Sequence, residues 1–186
     1  MATLPDPTPD LDAAGRALAA QMAEARSHSE GRAQLGEVYV RMLNNPGVTK
    51  SVGDLGEYIR FHGVLSDEIR ELVILRFASR NRFEYIWSHH QRPASLAGIT
   101  PEMISTLTAG DLPAELPDAA QAALLIVDDV VARRSIPQEI QDRFVAVHGE
   151  AGVVEIVAIC GLYGLMAMMT TSFDIPIEPG FPKPPF

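Results

Sequence analysis

The chain is poor in cysteine and in positive charge, and each shortage excludes something. Among 186 residues there is one cysteine, Cys160. A lone thiol forms neither an internal disulfide nor a cysteine metal cluster, and it suits a reducing, cytoplasmic setting. Lys and Arg number 15 against 24 Asp and Glu, a formal charge of −9. A nucleic-acid partner is therefore not expected, since it would need a basic face to neutralise phosphates. The opening MATLPDPTPDLD has neither the basic nor the apolar region of a signal peptide. No Gly-rich phosphate loop, nucleophile elbow or HExxH sequence occurs. No motif calls for a metal or a cofactor, and no stretch alternates in the manner of a half-buried strand.

What is present is helical. An apolar fraction of 47% with 21% charge is ordinary for a globular protein. The length suits a single domain, 1–186, with an extended arm over 1–10 and a proline-rich tail over 174–186. An alanine-rich helix is expected from Leu11 to about His28, and another from Arg32 to Leu43 with Leu35, Val38, Tyr39 and Met42 on one face. Asn44-Asn45-Pro46-Gly47 breaks the chain before a helix over Val48 to Phe61. Further on, Thr100-Pro101 opens a helix, and Asp118, with Gln121 in the capping-box position, caps one running to about Arg134. Ser135-Ile136-Pro137 starts the next helix, and Gly149 separates it from Ala151 to Ser172. Ile156 to Phe173 carries no charge and approaches membrane-spanning length. The polar Thr170, Thr171 and Ser172, and two interior glycines with no flanking basic cluster, favour a central core helix, with no membrane partner.

The chain is organised around Leu65 to Gly98. Ser66 is placed to cap a helix, Asp67 and Glu68 put negative charge on its positive end, and Ile69, Leu72, Val73, Ile74 and Leu75 follow at helical spacing. After the polar Ser79 to Arg82, a second helix runs from Phe83 to Ala97, with Gly98 as its stop. Phe83, Ile86, Trp87 and His90 fall at i, i+3, i+4 and i+7, so His90 is the one ionisable group on an aromatic stripe. His89 points about 100° away on the same helix and reads as a surface or interface residue. The adjacent pair cannot chelate one metal from that segment alone.

RELVILR (Arg70 to Arg76), EYIWSHH (Glu84 to His90) and LAGIT (Leu96 to Thr100) closely resemble the core of the carboxymuconolactone decarboxylase and alkylhydroperoxidase D superfamily. More loosely, the resemblance covers about 39–173. It implies an all-α helical bundle that assembles as a homo-oligomer, with trimers or hexamers favoured over dimers, and pockets near subunit contacts. The peroxidase members carry Cys-x-x-Cys just before the histidine, and here those positions are Phe83 and Ile86. Phenylalanine cannot attack a peroxide, so the redox branch closes. The cysteine-free decarboxylase branch stays open: a cofactor-independent carboxy-lyase or related acid–base enzyme acting on a small carboxylated or lactone-type product of aromatic catabolism.

On this resemblance His90 is the catalytic candidate and Glu71, nineteen positions earlier, is its orienting partner. Phe83, Ile86, Trp87, Tyr85, His62 and Arg76 are the candidates for binding the small-molecule substrate. A carboxylate substrate calls for a basic partner, and Arg76, Arg82 and Arg92 are nearest in sequence. The plain alternative is a core histidine paired to a glutamate for packing, in a protein that binds a small molecule without turning it over.

Overall fold

The computed structural model describes residues 2–30 and 34–186. After a short 3-10 turn, Thr8–Asp10, eight helices follow among the described residues: α1 (Ala13–Glu30), α2 (Glu37–Met42), α3 (Pro46–Phe61), α4 (Asp67–Asn81), α5 (Glu84–Leu96), α6 (Pro101–Ala109), α7 (Asp118–Val131) and α8 (Gln138–Ser172). The described residues contain no strand.

Helix α4 is the axis. It is buried from Ile69 through Ser79 and packs against α5, α6, α7 and α8. A helix buried on every side must find packing or polar partners all round, and here Arg70, Glu71 and Arg76 are paired within the fold. Leu72, Ile74 and Leu75 have no exposed surface, and truncating any of them to alanine would cost about 2–5 kcal/mol. Local chemistry sets the helix ends. The Ser66 hydroxyl accepts the Ile69 N–H at 3.3 Å, Asn45 takes the Val48 N–H at the start of α3, and Thr100 takes the Met103 N–H at the start of α6. Gly98, at φ 90, follows the end of α5. Gly149, at φ 68 and ψ 172, breaks α8 into two lengths.

Some boundaries differ from the sequence reading. Pro117, not Asp118, holds the cap position of α7. Asp118 is the first helical residue, and its carboxylate pairs with Arg143 at 2.6 Å. Gln121 gives its amide to the Leu116 carbonyl instead of closing a capping box. Helix α7 ends at Val131, since Arg133 turns left-handed at φ 55. Helix α2 starts at Glu37 because Gly36 is extended; residues 31–33 of the longer expected helix lie outside the described residues.

The segment after α8 does not stand away from the chain. Asp174, at φ 49, and Gly180, at φ 94, turn it back along α5. There Ile175 is buried, Phe181 stacks on His89 at 4.0 Å, and Phe186 meets the edge of Trp87 at 6.2 Å. The tail thus packs on its own chain. The apolar length of α8, mean hydropathy 1.9 over its most apolar window, has half of that window buried within the fold, as in a core helix.

Candidate active site

Helices α2, α3, α5 and α8 enclose a cavity of about 50 Å³, room for a few water molecules. Its wall includes Tyr39 from α2, Arg60 from α3, Tyr85, Ile86, His89 and His90 from α5, and Tyr163 from α8. The cavity thus combines two imidazoles, a guanidinium and three phenols with an apolar remainder.

His90 is buried, and its Nδ1 lies 2.7 Å from Oε2 of Glu71, which is 1% exposed. The other carboxylate oxygen, Oε1, accepts from Arg70 Nε at 3.2 Å. Arg70 in turn donates Nη1 to the Asp67 carboxylate at 2.8 Å and to the Arg60 carbonyl at 3.1 Å. Burial pushes the Glu71 carboxyl up, but His90 and Arg70 outweigh it and hold the group below its ordinary value. An ionised Glu71 only accepts, so it fixes the Nδ1–H tautomer of His90 and leaves Nε2 as the nitrogen for exchange with the cavity. The His90 ring meets Tyr163 edge-on at 4.8 Å. Tyr163 is held neutral, its phenol pushed well up by burial.

The guanidinium arrives from a place the sequence reading did not search. Arg60 sits in the last turn of α3, a helix whose end is secured twice: its carbonyl by Arg70, and the following loop by the buried Glu155. The Glu155 carboxylate accepts the N–H groups of Val64 at 2.8 Å and Leu65 at 3.3 Å. Arg60 is close enough to Glu71 and Tyr163 to favour both anions.

Arg76 is elsewhere. It forms a two-pronged pair with Asp128 and caps the carbonyls of Gly110 and Asp111 beyond α6. His62 is exposed at the C-terminal cap of α3 and does not line the cavity. Of the stripe on α5, only Ile86 and His90 reach the cavity. Phe83 packs on Phe77 at 5.7 Å, and Trp87 turns to α6, donating its indole N–H to Thr108 at 2.9 Å. Arg82 and Arg92 are exposed and off the cavity wall.

His89, read from the sequence as a surface or interface residue, lines the cavity wall. Its ring lies between Tyr85 at 3.9 Å and Phe181 at 4.0 Å. Nδ1 is 2.8 Å from the Tyr85 carbonyl, and Nε2 is 2.8 Å from Oε2 of Glu178 in the tail. The His89 ring and the Glu178 carboxylate therefore meet at ion-pair distance.

Cys160 is buried in α8, and burial pushes its thiol up to about 12. Among the described residues no three His, Cys, Asp or Glu gather as a metal set.

The arrangement of helices is that of the alkylhydroperoxidase-like structures. Similar solved structures are an alkylhydroperoxidase AhpD core, an uncharacterised peroxidase-related protein from Ralstonia eutropha JMP134 (16% identity, TM-score 0.78, 94% of this chain and 91% of that one), and the debrominase Bmp8 (18% identity, TM-score 0.74, 91% and 90%). Bmp8 is also known as a cysteine-to-alanine variant in complex with 2,3,4-tribromopyrrole. A protein of unknown function from Agrobacterium tumefaciens is similar as well (20% identity, TM-score 0.63, 73% and 94%). Residues 46–129 match the carboxymuconolactone decarboxylase family. That segment is similar to the family, and the fold as a whole is shared with alkylhydroperoxidase-like structures. No curated protein matches its sequence.

Proposed function

We propose that this protein is a thiol-independent acid–base enzyme acting on a small carboxylated or lactone-type compound, with His90 carrying the proton. The observation that carries this reading is the 2.7 Å contact between His90 Nδ1 and Glu71 at the wall of a cavity that also holds Arg60. Glu71 accepts the Nδ1–H whether or not Nε2 is protonated, so Nε2 can gain and lose a proton without the ring turning. In a decarboxylation the bond from carbon to the carboxylate breaks, carbon dioxide leaves, and the electron pair stays on a carbon conjugated to the lactone or enone carbonyl. His90 Nε2–H then delivers the proton. Arg60 adds positive charge to the cavity wall, which attracts an anionic substrate.

The positions of the thiol pair in peroxidase relatives support the same reading. Ile86 lines the cavity beside His90, and Phe83 turns away to Phe77. The only thiol is the buried Cys160. The match to the decarboxylase family and the small-molecule complex of Bmp8 agree with a small, flat substrate.

The test is turnover of a panel of γ-lactone carboxylic acids, following carbon dioxide release and product absorbance, by wild type, His90→Gln and Glu71→Gln. Removing a general acid–base group costs ~10²–10⁴-fold in rate, so His90→Gln should lose most turnover at near wild-type melting temperature, and Glu71→Gln should lose less turnover but melt lower, because one amide oxygen cannot serve both His90 and Arg70. A destabilised His90→Gln protein with full turnover per folded molecule would sink the reading.

A homo-oligomer remains part of the proposal. Val154, Val157, Leu165 and Met168 form an exposed apolar stripe on α8, with Gly161 in its middle and no atom within 4 Å of where its Cβ would stand. A second copy of α8 is the natural cover for a stripe that allows so close an approach. Sedimentation should show an oligomer that Met168→Asp weakens; a wild-type monomer at micromolar concentration would refute it.

A further inference from the structure

The tail residue Glu178 reaches the rim of the cavity, and its surroundings are those of a bound ligand more than of a surface side chain. Its Oε1 accepts the backbone N–H of Glu37 at 2.8 Å and the Tyr85 hydroxyl at 3.1 Å. Its Oε2 stands 2.8 Å from His89 Nε2. Two of these three partners, Tyr85 and His89, also line the cavity that holds His90. Gly36 lines it too, and a Cβ there would press on the Tyr85 hydroxyl at 3.1 Å and come into ordinary contact with Glu178 at 3.5 Å. Backbone, phenol and imidazole therefore converge on one carboxylate where the cavity reaches the tail.

We propose that the Glu37 N–H, the Tyr85 hydroxyl and His89 form a carboxylate-binding subsite of the cavity, and that Glu178 is its resident occupant, displaced when a substrate carboxylate enters. This rests on the reading of the His90 cavity as the substrate cavity and names the ligand class: a small organic anion whose carboxylate takes the place of Glu178 while its body lies toward Arg60 and His90.

Three features support exchange over a permanent anchor. The donors are those a ligand carboxylate would use: a backbone N–H, a phenol hydroxyl and an imidazole. The occupant belongs to a terminal segment with no regular secondary structure after Ser172, the kind of segment that opens locally at low cost. Finally, the cavity is small as it stands, about 50 Å³, so a substrate of more than a few atoms needs the volume that the Glu178 side chain fills. The environment also stabilises the anion: burial would raise the Glu178 carboxyl, yet His89 and the Glu37 N–H bring it down to about 2.

The test is calorimetric binding of benzoate, with benzamide as its uncharged counterpart, to the full-length protein. Glu178→Ala should bind benzoate at least ten-fold tighter than wild type, and Glu178→Gln should fall between them. Benzamide should show no such order. Adding His89→Asn or Tyr85→Phe to Glu178→Ala should lose the gain again. Circular dichroism melts accompany each variant, and Glu178→Gln, which keeps the side-chain shape, carries the test if the alanine variant unfolds. Benzoate binding unchanged across the series, or absent from both Glu178 variants, would overturn the proposal. Binding that appears in Glu178→Ala but ignores His89 and Tyr85 would overturn it too. His90→Gln separates this outcome from the enzymatic reading: it should keep the benzoate affinity of its parent while losing turnover.

Discussion

Arg76 and Asp128 face each other across the packing of α4 on α7, with Nε and Nη2 of the guanidinium donating to the two carboxylate oxygens at 2.9 and 2.7 Å. The remaining Nη1 serves two carbonyls at 2.8 Å, those of Gly110 and Asp111. Four of the five N–H groups of the fork are used, and Arg76 is 3% exposed. Such a group cannot turn to a substrate without leaving buried acceptors empty.

Arg76→Leu should therefore act on stability. Breaking a buried pair by removing one partner costs about 3–5 kcal/mol, so the melting temperature should fall sharply. KM per folded molecule should stay as it was. A variant of normal stability and raised KM would show that Arg76 does face the substrate.

Arg60 should behave in the opposite way. A hydrogen bond to a charged group contributes about 1.5–3 kcal/mol, so Arg60→Gln should raise KM for an anionic substrate by ~10- to 100-fold with a smaller change in kcat. Arg60→Lys should recover part of the loss. Equal KM for wild type and Arg60→Gln, measured at matched ionic strength, would remove Arg60 from substrate binding.

The thiol of Cys160 should be inert. With the group pushed up to about 12, the thiolate fraction at neutral pH is minute. Labelling of the native protein by a disulfide reagent should be slow, and Cys160→Ala should leave turnover unchanged. Fast labelling in the folded state, or peroxide turnover lost with Cys160, would reopen the redox reading.

Acid should release the tail. The Glu178 carboxyl is lowered from 4.5 to about 2. A depressed carboxylate stabilises the native form above its unfolded value, and that contribution is lost as pH falls through the folded one. Tail docking should thus be complete above about pH 4.5 and weaken between there and about pH 2. Trp87 fluorescence reports it through the Phe186 contact. Glu178→Gln should flatten this step; a step of equal size in that variant would assign it to another group.

The helices of the core were legible because their signals are local: Ser66 and Thr100 as caps, Gly98 and Gly149 as breaks, and the helical spacing of Ile69 to Leu75 in α4. The His90–Glu71 pair was legible only through the family resemblance, since no periodicity tells which two helices will touch. The wall of the cavity was misjudged for a geometric reason. An i, i+3, i+4, i+7 stripe marks the centre of the face that a helix turns to the core. The cavity lies to one side of that centre, along Tyr85, Ile86, His89 and His90. Half of the stripe, Phe83 and Trp87, therefore packs elsewhere, and His89 enters from what looked like the polar flank. Arg60 carried no signal at all. It is one basic residue in the last turn of an amphipathic helix, where a cation is expected for the helix dipole alone.

Glu178 is tied to the cavity by the chain itself, so it competes with any free carboxylate at a local concentration set by a short tether, about millimolar for a flexible one. Such a competitor acts as a threshold. Common carboxylates that offer nothing beyond the charge must exceed that concentration to gain entry. A cognate compound passes at lower levels because its remaining atoms gain contacts with Tyr39, Ile86 and Tyr163 that a glutamate side chain cannot supply. Selectivity then resides in the body of the ligand, although the charge is what opens the way.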